Sequence, residues 1–266
     1  MASSGSGYVL SDWVPLYPGV ARAIGNLPGQ WVNAVQINLQ ESGISFLSTP
    51  SSQLNSNGVT VRSFLETNFG TQLQAMIAVN ANLFDDNSGE MNTLYGLAYS
   101  QGQVVSPADP SSSYTLAITE DNTATILGPD DPLPTSLWTA VSGNELLVQQ
   151  GQNVASDSWG PEYAARTAVG ISPANGTAPP YLYILTIDGL ESSGSLYGAR
   201  LIDMAEWLLA AGVTDGFNLD GGGSTTMARI DGGTINAVLM NVPHGDEKPE
   251  PSERAVGNCF GVCVAA

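Results

Sequence analysis

The 266-residue chain carries 25 Asp and Glu against 7 Lys and Arg, a formal net charge of −18, although charged residues make up only 12% of it. Such an acidic, otherwise uncharged-polar surface lacks the basic stripe that releases counterions from nucleic acid or anionic lipid, which excludes both as natural partners. Hydrophobic residues at 42% and the absence of an apolar run of spanning length describe a globular chain that builds its own core without membrane insertion.

Met1-Ala2-Ser3-Ser4-Gly5-Ser6-Gly7 has neither the basic start nor the apolar stretch of a secretion signal. Residues 1–17 read as a flexible leader and residues 18–266 as one domain. The polar, acidic surface suits an extracytoplasmic or secreted setting, and a cytoplasmic one stays open. Trp31 to Leu39 alternates apolar and polar residues, the period of a half-buried strand, and Ile44 to Leu47 reads as its neighbour across the turn Glu41-Ser42-Gly43. Thr60 is placed to cap a short helix with Val61, Phe64, Leu65 and Phe69 on its apolar side. Met76 to Asn80 then reads as a buried strand ending in a polar tip, Asn80-Ala81-Asn82-Leu83-Phe84-Asp85-Asp86.

From Thr93 to Gly151 the pattern is a β-meander, with strands over Leu94 to Tyr99, Tyr114 to Thr119, Thr123 to Ile126, Trp138 to Ser142 and Leu146 to Gln149. Leu201, Met204, Ala205, Leu208 and Leu209 form the clearest helical stripe, following Ser192-Ser193-Gly194-Ser195, with Gly212 as its stop. Strands over Tyr181 to Ile187 and Gly216 to Leu219 flank it, a βαβ-like unit with Asp188 and Asp220 at the two strand ends. Cys259 and Cys263, four apart in an apolar run, lie about 13 Å apart if extended, beyond disulfide reach, and read as buried free thiols. The fold class is α+β: a mixed, mostly antiparallel sheet with few flanking helices and the βαβ-like unit near the C-terminus.

Phe217-Asn218-Leu219-Asp220-Gly221-Gly222-Gly223-Ser224-Thr225-Thr226-Met227 puts a carboxylate at a strand end and follows it with three glycines. Alone this is either a tight turn or a backbone cradle for an anion or sugar hydroxyl. Polar residues recur at other strand tips: Asn80, Arg166, Asp188, and in the tail Asn241 and Glu253-Arg254. With Arg166-Thr167-Ala168-Val169-Gly170, Asp188-Gly189, the amphipathic helix, Asn218 to Met227, Asn241 and Glu253-Arg254 in this order, the chain resembles the phosphodiester glycosidase family from about Pro18 to Val264. The founding activity of that family uncovers mannose 6-phosphate by removing a blocking N-acetylglucosamine. Two departures stand out: Asn80-Ala81-Asn82-Leu83-Phe84 replaces an Asn-Gly-Gly segment, and Asp188-Gly189-Leu190 replaces Asp-Gly-Arg.

The resemblance implies a hydrolase acting on a carbohydrate or sugar-phosphate, such as an N-acetylglucosamine-1-phosphodiester or a related α-glycoside. Glycosyl transfer to water uses carboxyl groups flanking the scissile bond, and Asp188 and Asp220 are the leading pair, with Glu253 in reserve. Arg166 and Arg254 are the candidate anion clamps, unless they pair with carboxylates inside the fold. Gly221, Gly222 and Gly223 offer backbone N–H groups, while Asn80, Asn241, Ser224 and Thr225 bind hydroxyls or orient water. The net charge opposes an anionic substrate at low salt. A lone histidine, His244, in the loop Pro243 to Lys248 leaves little for a Ser-His-Asp triad, and the chain lacks a zinc ligand set, so no metal residues are assigned. No cofactor is required by this chemistry, though calcium or magnesium on Asp85, Asp86, Asp188 or Asp220 stays open. Two other readings compete: a non-catalytic glycan-binding or surface-polymer module, and a metal-dependent phosphodiesterase that cuts P–O.

Overall fold

The computed structural model describes residues 7–54, 57–71, 74–85, 93–107, 113–156, 162–189, 196–232, 234–245 and 251–265. Asp86, Leu190, the Ser192 to Ser195 stretch and Asp246 to Lys248 of the histidine loop lie outside them. Among the described residues strands take 48% and helices 11%, so the α+β class holds with its weight on β.

Sheet A has eight strands in the order β1 (Val14–Tyr17), β2 (Val20–Leu27), β3 (Gln30–Asn38), β16 (Tyr181–Asp188), β15 (Arg166–Ser172), β17 (Asp215–Asn218), β13 (Glu145–Gln149) and β14 (Gln152–Asn153). Sheet B has five: β19 (Ala237–Leu239), β18 (Met227–Ile230), β5 (Ala75–Asn80), β20 (Cys259–Val264) and β4 (Ile44–Ser48). Sheet C, also of five, follows the meander as β11 (Ala124–Leu127), β10 (Tyr114–Thr119), β12 (Leu137–Gly143), β8 (Ala98–Ser100) and β9 (Gln103–Ser106), and a short hairpin joins β6 (Phe84–Asp85) to β7 (Thr93–Leu94). Every pairing between these strands is antiparallel, where a mixed sheet was expected.

Period-two alternation sorts the side chains into layers. Along β3, Val35 and Ile37 join a central core with Ile77, Val79, Phe260 and Val262 of sheet B, which sheet C closes with Leu116, Ile118 and Val141. Val32 and Ala34 point the other way, onto Met204, Trp207 and Leu208 of α2 (Leu201–Ala211). That helix ends as its stripe predicts, at Gly212 with φ 97°. On the far face of sheet B lies α1 (Val61–Asn68), whose Ser63 N–H donates to the Thr60 hydroxyl at 3.2 Å. Its Phe64 rests on Gly261, where a Cβ would come within 2.9 Å of the ring. Cys259 and Cys263 flank that glycine on the same face, buried and free.

Four expectations change. The strands at Asp188 and Asp220 do not pair with each other, because β15 stands between β16 and β17, antiparallel to both; the βαβ-like unit is split. β4 is not beside β3, since β2 and β16 already fill both of its edges, and the turn at Glu41 to Gly43 carries the chain into sheet B. The strand drawn from Leu94 to Tyr99 breaks at Gly96, φ 78°. Much of the presumed leader is part of the fold: β1 pairs with β2, the Tyr8 hydroxyl donates to Asp203 at 2.9 Å, and Trp13 packs against Tyr183. Tyr8, Trp13 and Tyr17 pack against the two apolar cores, which ties residues 8–17 to the fold.

Candidate active site

Asp220 stands where the chain crosses between sheets. Leu219 N–H bonds to the Thr167 carbonyl of sheet A at 2.9 Å, and Asp220 N–H bonds to the Ala81 carbonyl beyond β5 at 3.0 Å. The Asp220 carboxylate accepts the Gly221 N–H at 3.0 Å. Burial pushes its pKa up, against the opposing pull of the Ser224 hydroxyl, the Gly221 N–H and the Arg254 charge. The glycines then make a close turn. A Cβ on Gly221 would lie 2.9 Å from the Ala165 carbonyl oxygen, and Gly222 has φ 61°. Their amides mostly serve the turn itself: Gly222 N–H meets the Ala165 carbonyl at 2.8 Å, Ser224 N–H that of Gly221 at 3.2 Å, and Thr225 N–H that of Gly222 at 3.1 Å. The anion cradle read from the sequence is therefore largely occupied by the fold.

Asn80 and Asn241 tie this loop to the rest. Asn80 Nδ2 donates to the Asp220 carbonyl at 2.6 Å, while its Oδ1 accepts from the Thr167 hydroxyl at 2.8 Å and Thr226 N–H at 3.2 Å. Asn241 Oδ1 accepts the Met227 N–H at 2.7 Å, and its Nδ2 donates to Asp188 at 2.8 Å and to the Thr225 carbonyl at 3.1 Å. The other Asp188 oxygen accepts Val242 N–H at 3.2 Å. Asp188, Asn241, Thr225, Asn80 and Asp220 thus belong to one network across both sheets, and all but Asp220 are buried. Both asparagines spend their amides on backbone and on Asp188, so they hold the site's shape. The Ser224 and Thr226 hydroxyls are buried beside it without a hydrogen bond of standard geometry.

The charged residues divide. Arg254 lies over the Phe84 ring, 5.2 Å from its centroid, and its charge favours ionised Asp220. Arg166 donates from Nε to the Ala199 carbonyl at 3.0 Å and from a terminal nitrogen to the Glu162 carbonyl at 2.9 Å; burial lowers its pKa. The Glu253 carboxylate turns to Arg62, pairing with its guanidinium and accepting its N–H at 3.1 Å in the first turn of α1. His244 Nε2 is buried with no hydrogen-bond partner, so no hydrogen-bonded triad forms with Ser224 and Asp220. Asp85 is exposed, and among the described residues no three His, Cys, Asp or Glu side chains converge as a metal site. Beneath the loops lies a knot that the sequence reading missed. Asn258 Nδ2 donates to Asn82 Oδ1 at 2.8 Å, and Asn82 Nδ2 donates to the Tyr95 and Leu97 carbonyls at 3.0 and 3.2 Å. Its signal was an asparagine abutting each apolar strand.

The sequence matches the profile of the phosphodiester glycosidases over residues 74–263, which takes in Asn80, the Asp220 loop and Arg254. The chain belongs to the phosphodiester glycosidase family. It is a hydrolase of that family, and its fold is shared with solved structures. The zebrafish N-acetylglucosamine-1-phosphodiester alpha-N-acetylglucosaminidase catalytic domain, auto-inhibited by its pro-peptide, superposes with a TM-score of 0.66 at 20% identity, over 100% of this chain and 85% of that one. A hypothetical protein from Synechocystis gives 0.60 at 15% identity, over 93% of this chain and 62% of its own. A candidate exported protein of Burkholderia pseudomallei gives 0.57 at 13%, over 92% and 74%. No curated protein sequence matches the chain. No helix among the described residues is long and apolar enough to cross a membrane.

Proposed function

We propose that this phosphodiester glycosidase cleaves the C1–O bond of a sugar-1-phosphodiester or a related α-glycoside, with Asp220 as the carboxyl that handles the proton. One observation carries the assignment. Of the three carboxyls considered, Asp188 is buried and engaged by Asn241 and Val242 N–H and Glu253 is paired with Arg62, whereas Asp220 stays partly exposed, has only the Gly221 N–H and the Ser224 hydroxyl beside its carboxylate, and has its pKa raised by burial. A raised carboxyl pKa suits general acid–base work near neutral pH. The C1–O electron pair leaves on the phosphate or alkoxide oxygen, and water supplies the new C1 hydroxyl, its proton passing through Asp220. A phosphodiester leaving group needs little protonation, so one such carboxyl serves. Arg254, whose charge acts on Asp220, is the cation assigned to offset the negative charge gathering on the departing oxygen. The acidic surface and the Burkholderia relative support an extracytoplasmic place of action.

Hydrolysis of an N-acetylglucosamine-1-phosphodiester in ¹⁸O-water tests the chemistry: label at the sugar C1 hydroxyl is expected, and label in phosphate overturns it in favour of P–O cleavage. Asp220→Asn, with unchanged circular dichroism, is expected to lose turnover; full activity in that variant removes Asp220 from the role.

A further inference from the structure

Two tyrosines beside the Asp220 loop take no part in the chemistry above. Tyr163 and Tyr197 remain 45% and 43% exposed, yet their rings meet edge to face, with centroids 5.0 Å apart and planes at 89°. Exposed aromatics that pack on each other rather than into a core form a small apolar platform.

The platform is rigid. The Tyr197 hydroxyl donates to the Pro28 carbonyl at 2.6 Å, and its ring sits where a Cβ on residue 29 would be, 1.8 Å away, so only glycine serves there. Arg200 lies 5.7 Å from the Tyr163 ring centroid. The segments carrying the two tyrosines are joined by reciprocal backbone bonds between Ala164 and Ala199, at 3.2 and 2.9 Å. Arg166 adds a second tie, reaching the Glu162 carbonyl on one segment and the Ala199 carbonyl on the other. This is what the family arginine does in this chain: it braces the two segments that present the rings.

The platform also abuts the candidate active site. The Ala165 carbonyl that receives the Gly222 N–H is two residues along from Tyr163, about 7 Å of chain at most. That span is short enough for adjacent units of one saccharide to be weighed as bridging the loop and the rings. Arg200 beside the rings is already paired with Asp203, the −18 charge of the chain disfavours an anionic occupant, and a ring face binds the C–H face of a neutral sugar.

We propose that Tyr163 and Tyr197 form a carbohydrate subsite, taking the apolar face of a neutral pyranose unit linked to the one cleaved beside Asp220. The proposal rests on the glycosidase reading for its direction, and its test is arranged to stand apart from it. Binding of chitotriose and of maltotriose to Asp220→Asn protein is measured by calorimetry and by saturation-transfer NMR. At least one trisaccharide is expected to bind, with saturation transfer strongest at ring C–H protons. Tyr163→Ala and Tyr197→Ala should each weaken that binding about five- to tenfold, and Tyr163→Phe should retain it. Unfolding midpoints are compared alongside; if Tyr197→Ala is unstable, Tyr163→Ala carries the test alone, and Tyr197→Phe, which keeps the ring, should retain binding. Binding of neither sugar, or binding indifferent to both tyrosines, overturns the subsite. Tyrosine-dependent binding without turnover by the parent protein upholds the subsite and sinks the hydrolytic reading instead.

Discussion

Replacing Asn80 with alanine removes three hydrogen bonds at once, to the Asp220 carbonyl, the Thr167 hydroxyl and Thr226 N–H. Asn80 and Thr167 are 0% exposed and Thr226 1%, so bulk water cannot take the amide's place. Leaving the Asp220 carbonyl and Thr226 N–H unpaired costs about 1–3 kcal/mol each, and the small void adds about 1 kcal/mol. The sum is roughly 3–7 kcal/mol, which for a chain of this length lowers the thermal midpoint by on the order of 10 °C. Turnover should fall by more than the loss of folded protein, because the carbonyl that Asn80 grips belongs to Asp220 itself, and a shift of about 1 Å at a reacting group costs on the order of 100-fold. Calorimetric unfolding and kcat, each measured well below the midpoint, give the two readouts. A midpoint within about 3 °C of the parent, or an unchanged kcat, refutes the argument that Asn80 places Asp220.

Because burial raises the Asp220 pKa, the folded state favours its protonated form. The stabilisation is fully present below the ordinary carboxylate range and is lost as pH rises through the raised folded value. Asp220→Asn should therefore be more stable than the parent at pH 7, with the gain vanishing below about pH 4; urea titrations across that range giving a constant difference would contradict the sign. Glu253→Ala, which strips the cap and charge from the start of α1, should cost about 1–2 kcal/mol in the same assay. Unchanged stability with lost turnover would return Glu253 to the reacting groups. Burial pushes both thiols up, that of Cys263 to about 12, so Ellman's reagent at pH 8 should modify neither in the folded protein and both in guanidinium. Rapid labelling of the native chain would show that the α1 side of sheet B opens.

Local chemistry made part of this readable. The i, i+3, i+4 stripe from Leu201 and its Gly212 stop are properties of adjacent residues, as are Thr60 before α1 and the alternation of β3. β2 escaped because Val-Ala-Arg-Ala-Ile-Gly-Asn-Leu is a weak strand on propensity; its Gly25 makes sense only once the Trp207 ring lies 2.5 Å from where a Cβ would be. The departures of the chain from sheet to sheet were equally hidden. Gly143 looks like any turn glycine, yet it is demanded by the Asn218 carbonyl, 1.9 Å from its missing Cβ. At the site, sequence could pick out polar residues at strand tips but not how their atoms are spent. Glu253 finds Arg62 across 191 positions and Asn80 reaches Asp220 across 140.

The place of β20 gives the chain a timetable. Cys259–Val264 is the last described strand, yet it lies inside sheet B, between β5 and β4. Until those residues emerge during synthesis, two earlier strands expose bare edges and the central core lacks Phe260 and Val262. Sheet A meanwhile joins β3 to β16, some 150 residues apart. Asp220 hangs between the two sheets, so the carboxyl and its asparagine supports meet only in a finished polypeptide. Nascent chains on the ribosome therefore lack an assembled site, and a product ending before residue 259 would keep those two strand edges bare.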